Sequence, residues 1–129
     1  MRLHEQALLL MKKAGDDEAL LIEIVDSMHV SDEIFGFHCQ QAVEKLLKSL
    51  LSEFGGDFPR THNLRLLMDL LADAGLTLPQ TLADIDLLTP YGTLFRYEDF
   101  SSDVELDRRC LLSMVQTLRQ IVVNRLSPS

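Results

Sequence analysis

The chain has no tryptophan, only 6% aromatic residues, few breakers of helix (4 Pro, 6 Gly) and just two cysteines. With 47% hydrophobic and 25% charged residues, this composition excludes a disordered chain and describes a compact, Leu-rich domain. Cys39 and Cys110 fall inside helical patterns without CxxC spacing, so neither a zinc site nor a disulfide framework is indicated, and buried free thiols are the simplest reading. Positive charge is in deficit. Twelve Lys and Arg stand against twenty Asp and Glu, a net charge of -8, which repels a polyanion; an RNA contact then requires a local basic patch. No apolar run approaches the roughly 18 residues of a membrane span, because Lys12, Glu18, Glu23 and similar charges interrupt each candidate. The N-terminal "MRLHEQALLLMKKAG" lacks a signal-peptide cleavage pattern, and the expectation is an unprocessed cytoplasmic protein with no membrane partner.

Familiar catalytic signatures are missing as well. The four histidines, His4, His29, His38 and His62, show no HExxH or other dense ligand spacing, so no metal and no cofactor is expected. There is no GxSxG elbow and no Cys/His nucleophile motif. Gly55-Gly56 follows a helical pattern rather than a strand and lacks the Walker lysine context, so the common phosphate loops are excluded.

What is present is helical periodicity. At 129 residues the chain fits one domain, read here as 1–126 with a short tail at 127–129. Leu3, Ala7, Leu10, Ala14, Leu21 and Val25 predict one long helix from Leu3 to Ser27 with a weak centre at Gly15. Ser31 is an N-cap, Asp32 and Glu33 suit the positive end of the helix dipole, and Gly55-Gly56 close a second helix reaching about Phe54. Its stripe of Phe35, Cys39, Ala42, Leu46 and Leu50 is a core face. Thr61 or Asn63 caps a short third helix carrying Leu64, Leu67, Met68 and Leu71 and ending at Gly75. Pro79 and Pro90 suit the first turns of two short helical pieces. The capping box Ser102-Asp103-Val104-Glu105 opens the last helix, with Val104, Leu111, Val115, Leu118, Val122 and Leu126 along its packed face. The fold class is therefore all-α, an antiparallel helical bundle of four to five helices.

Three spots carry polar chemistry. On the second helix His38, Gln41 and Lys45 share one side, while Gln40, Glu44 and Lys48 form another row at four-residue spacing. A structural account of the same rows makes His38 a hydrogen-bonded residue at a helix contact, Glu44 and Lys48 a surface ion pair, and the glutamines solvated groups. "PRTHNLR" gathers Arg60, His62 and Arg65 at a helix N-terminus, and "LFRYEDF" sets Arg96 beside Tyr97; both have anion-binding potential. The structural alternative for these spots is an Arg60 that is only solvated and an Arg96 that only pairs with Glu98 or Asp99.

The order of "FGFHCQQAVEKLLKSLL", a Gly turn, "FPRTHNLRLL", "LTPYGTLFRYED" and a final amphipathic helix resembles the HEPN family of small helical domains. The resemblance spans the first helix to about Arg125. It implies a homodimer that binds nucleotide or RNA and works with a small nucleotidyltransferase protein, with His38, Gln41, Lys45, Arg60, His62, Arg96 and Tyr97 as ligand-binding candidates. Many HEPN proteins are RNases or RNase toxins of toxin–antitoxin pairs, marked by Arg followed after four to six residues by His. Here His4 follows Arg2, and His62 follows Arg60, with a single residue between, and neither Tyr91 nor Tyr97 has Arg six positions before it. The expectation is a binding module rather than an enzyme, with no catalytic residue assigned. An endoribonuclease toxin using Arg96 as cation and His62 or His38 as acid/base, and a purely structural protein–protein adaptor, are the alternatives.

Overall fold

The computed structural model describes residues 2–92 and 106–127. Four α-helices lie within them: α1 (Arg2–Ile24), α2 (Asp32–Glu53), α3 (Leu64–Asp73) and α4 (Arg108–Leu126), with 3₁₀ segments at Gln80–Leu82 and Ile85–Gly92. The all-α class is as the sequence implied.

Local chemistry places most of the ends. Ser31 Oγ accepts from the Ile34 N–H at 3.2 Å and opens α2, and Gly55 follows its end at φ 81°, a left-handed geometry that glycine adopts without a Cβ penalty. Asn63, rather than Thr61, caps α3, its Oδ1 accepting from Leu66 N–H at 3.2 Å. Gly15 does not interrupt α1, which runs unbroken because packing along Ala7, Ala14 and Leu21 outweighs the weak propensity of one glycine. Two expected starts shift. Asp107, not Ser102, caps α4, its Oδ1 accepting from Cys110 N–H at 3.0 Å, while Ser102 to Glu105 lie outside the described residues. Pro90 sits inside the second 3₁₀ segment rather than at its start, where a short run loses little to one missing donor.

Packing follows from paired contacts along the helices. Ser52 Oγ donates to the Leu3 carbonyl and Ser49 Oγ to the Ala7 carbonyl, both at 2.7 Å, while Asp17 meets His38 and Lys45, so α1 and α2 run antiparallel. Arg108 meets Asp32 at the start of α2 and Arg125 lies over Phe54 beyond its end, so α4 points the same way as α2 and opposite to α1. α3 and the 3₁₀ segments occupy the return between them. The core joins Ala7, Ala14 and Leu21 of α1 to Phe35, Leu46 and Leu50 of α2, Leu67 and Leu71 of α3, and Val115, Leu118 and Val122 of α4.

Arg108 fastens the end where α1 stops. Its Nε donates to Asp32 Oδ1 at 2.9 Å, its Nη1 to the carbonyls of Ile24 and Ser27 at 3.1 and 3.2 Å, and its Nη2 to the Val30 carbonyl. The guanidinium also stacks 5.2 Å from the Phe35 ring centroid. The carbonyls of Ser27 and Val30 in the connection are thereby satisfied, and that of Ile24, which already accepts from the Ser27 N–H, gains a second donor.

Candidate functional site

Two polar networks line α2 on either side of its outward face. The first is built on Asp17. Spaced three residues from Ala14 and four from Leu21, it falls on the inner edge of α1 and is only 9% exposed. Its carboxylate accepts from Lys45 Nζ at 2.6 Å and lies 3.1 Å from His38 Nδ1.

The second network is built on Gln40 and Glu44, 0% and 7% exposed. Gln40 Nε2 donates to Glu44 Oε1 at 2.9 Å and to the His62 carbonyl at 3.3 Å, and its Oε1 accepts from Gln41 Nε2 at 2.8 Å. Glu44 Oε1 lies 2.7 Å from His62 Nδ1, and Oε2 accepts from Lys48 Nζ at 2.9 Å. Burial alone pushes the Glu44 carboxyl up. Hydrogen bonds from Gln40, His62 and Lys48, with the Lys48 charge, outweigh burial and hold it below its ordinary range. It is therefore a carboxylate beneath two cationic or ionisable groups.

Two glycines admit the second 3₁₀ segment onto this wall. A Cβ on Gly36 would stand 2.4 Å from Tyr91 Cδ1, and one on Gly92 would stand 2.5 Å from the Gln40 amide carbon. The Tyr91 ring thus lies against the backbone of α2, and Gly92 lies against the residue that orients Glu44. Burial raises the Tyr91 hydroxyl above its ordinary range, and the Asp32 and Glu33 carboxylates add to the rise.

The sequence candidates separate into three sets. His38 and Lys45 meet on Asp17, and Gln41 joins His62 through Gln40 and Glu44. Arg60 is exposed, two residues from His62, and enters neither network. Arg96 and Tyr97 lie outside the described residues. Two structural expectations are corrected: Glu44 and Lys48 are not a surface pair, with side chains 9% and 13% exposed, and Gln40 is buried rather than solvated. The physical reason is that α3 and the 3₁₀ segments cover this side of α2. A signal existed, since the row of Gln40 and Glu44 continues into Leu47 and Leu51, both buried. Asp17 carried a signal of the same kind, standing between Ala14 and Leu21 on the buried row of α1, but its partners depend on α1 meeting α2.

Both imidazoles present Nδ1 to a carboxylate, an arrangement that puts the proton on Nδ1 and leaves Nε2 as the accepting or, when protonated, donating edge. Among the described residues no group of three or more His, Cys, Asp or Glu is placed to hold a metal ion, and no helix is long and apolar enough to cross a membrane.

No curated protein and no solved structure matches the chain. The family model of the HEPN domain matches residues 25–126, which take in α2, both networks' α2 residues, His62, α3 and all of α4. On that match, across most of its length, the chain belongs to the HEPN domain family.

Proposed function

We propose that the chain is a nucleotide- or RNA-binding module whose ligand surface is the outward face of α2 with the adjoining His62. One observation carries the reading: on each network the carboxylate is buried while an imidazole, joined on the Asp17 side by Lys45, reaches further toward solvent. Asp17 and Glu44 side chains are 11% and 9% exposed, whereas those of His38, Lys45 and His62 are 26%, 27% and 54% exposed. A phosphate approaching this face meets imidazole edges and the Lys45 ammonium before it meets a carboxylate, so the acidic chain keeps a local site for an anion. Gln41, between the two rows, offers an amide for a base edge. In the same reading the module acts in the cytoplasm, associates with a second copy and works with a small nucleotidyltransferase protein, as its family membership suggests.

The test is fluorescence anisotropy of a labelled short single-stranded RNA, with calorimetry on AMP as the nucleotide probe. Saturable binding that weakens about tenfold or more in the double variant Lys45→Ala/His62→Ala is the expected result, corresponding to loss of charge-assisted hydrogen bonds. Equal binding by the double variant, or no binding to either probe, overturns it. Association with a nucleotidyltransferase but with neither probe would instead identify a protein–protein adaptor.

A second reading draws on the Glu44–His62 pair, which has the arrangement of a proton-transfer unit: a carboxylate on Nδ1 orients the ring and Nε2 remains available. An endoribonuclease toxin would use that nitrogen to take the proton of an RNA 2′-hydroxyl. Fragments from a labelled RNA that vanish in His62→Gln favour this reading, and intact RNA after prolonged incubation removes it.

A further inference from the structure

The hydrogen bonds along α2 have a direction, and it starts from two groups that can only accept. Glu44 Oε1 and the His62 carbonyl both take a hydrogen from Gln40 Nε2, at 2.9 and 3.3 Å. Glu44 titrates below its ordinary range, so at neutral pH it has no proton to offer in return. Turning the Gln40 amide over would set its oxygen against a carboxylate and a carbonyl at once. Room to swing is missing too: Gln40 is fully buried, and a Cβ on Gly92 would stand 2.5 Å from its amide carbon.

Gln40 therefore presents Oε1 to its neighbour, and that fixes the next amide. Gln41 Nε2 donates to it at 2.8 Å, whereas a reversed Gln41 would face oxygen to oxygen. What Gln41 has left is Oε1 and one N–H. The residue is half-buried, and its Oε1 accepts from no described residue yet is not closed off from water. Gln41 stands three residues after His38 and four before Lys45, spacings that make side chains neighbours on one helix side. An amide alone on a surface turns to suit a donor or an acceptor. This one is held, because its orientation is set two side chains further in, at Glu44.

We propose that Gln41 is the specificity-determining residue of the α2 face, and that it selects a base bearing an exocyclic amine beside a ring nitrogen, as adenine does. The amine donates to Oε1 while the remaining N–H of Nε2 reaches the ring nitrogen, the pairing by which a glutamine amide meets adenine. A base with an oxygen in the amine's place meets Oε1 as acceptor against acceptor and leaves both unpaired. The inference rests on the nucleotide- or RNA-binding reading above and names the base that this face takes. His38 and Lys45 supply phosphate contacts, which position a ligand without reading its base.

The test compares AMP with purine riboside 5′-monophosphate, which carries hydrogen in place of the amine, by calorimetry. Anisotropy makes the same comparison between a labelled short oligoadenylate and the same strand built from purine riboside. Both use the full chain and its Gln41→Met variant, with circular dichroism to confirm that the variant keeps the fold. The wild-type chain should bind the amine-bearing probe about tenfold more tightly than its analogue. Gln41→Met should lower that probe to the level of the analogue and leave the analogue's affinity unchanged, a pattern that a general loss of structure would not give. Equal wild-type affinities for probe and analogue, or a preference that survives Gln41→Met, overturn the role of Gln41 and leave the binding reading standing. A wild-type chain that binds none of the four probes overturns both.

Discussion

The two halves of α2 use similar polar groups to opposite ends. At its start, Arg108 spends its donors inward on Asp32 and on the carbonyls of Ile24, Ser27 and Val30, with its plane over Phe35. Through the middle, Asp17 and Glu44 turn inward while the groups they hold reach toward solvent. A cation whose partners are backbone carbonyls at a helix end is a fastening. An imidazole anchored on one nitrogen, with the other left to solvent, is available to something else. The direction of the donors, not the number of charges, separates the Arg108 fastening from the face proposed to take a ligand.

That contrast can be broken most forcefully at Arg108. Arg108→Ala should cost about 3 kcal/mol, because it removes four hydrogen bonds to part-buried acceptors together with the stacking on Phe35. Arg108→Lys should recover less than half, as an ammonium cannot fork between Asp32 and the carbonyls. Denaturant unfolding measures both, and RNA or AMP affinity per folded molecule should not change. Gly36→Ala is next, at about 2 kcal/mol, since its Cβ would collide with the Tyr91 ring; Tyr91→Ala in the same chain should recover part of the loss.

Glu44→Gln should cost about 1–2 kcal/mol at neutral pH, through weaker bonds to His62 and Lys48. Its pH dependence is the sharper readout. Because the folded-state pKa of Glu44 is depressed, the stability it contributes is present above the unfolded-state pKa and is lost as pH falls through the folded-state value. Unfolding midpoints measured down the acid limb should therefore fall less steeply in the variant. The smallest effect concerns the thiols. Burial pushes Cys39 up to about 12, against the lowering pull of Arg108 and with a further rise from Asp17, whereas Cys110 is exposed. A thiol reagent should label one cysteine readily in the native protein, and Cys39 only once denaturant opens the first half of α2.

Much of the helix layout was legible because it is written in neighbours. Ser31, Asn63 and Gly55 mark ends through side chains or backbone angles that act within a turn, and the stripe from Phe35 to Leu50 marks a core face through one helix's own periodicity. Reading went astray where two local signals competed. Ser102 to Glu105 has the form of a capping box, yet Asp107 caps the helix, whereas at Gly15 the sustained periodicity was the better guide and α1 continues through it as expected. His38, Lys45, Gln41 and His62 stood out as candidates by residue type and spacing, while Asp17 and Gln40, which hold them, did not.

The sequence by itself determined an all-α chain, the positions of most helix ends and the family to which it belongs, because capping, periodicity and turn chemistry act over a few residues. Only the tertiary structure decided which polar groups became anchors. His38 and Asp17 are 21 positions apart, Lys45 and Asp17 are 28 apart, and Arg108 reaches back 84 positions to Ile24. Whether a carboxylate lies under a cation or beside it in water is set by which helix covers it, and that covering is a property of the packed bundle, not of any one segment.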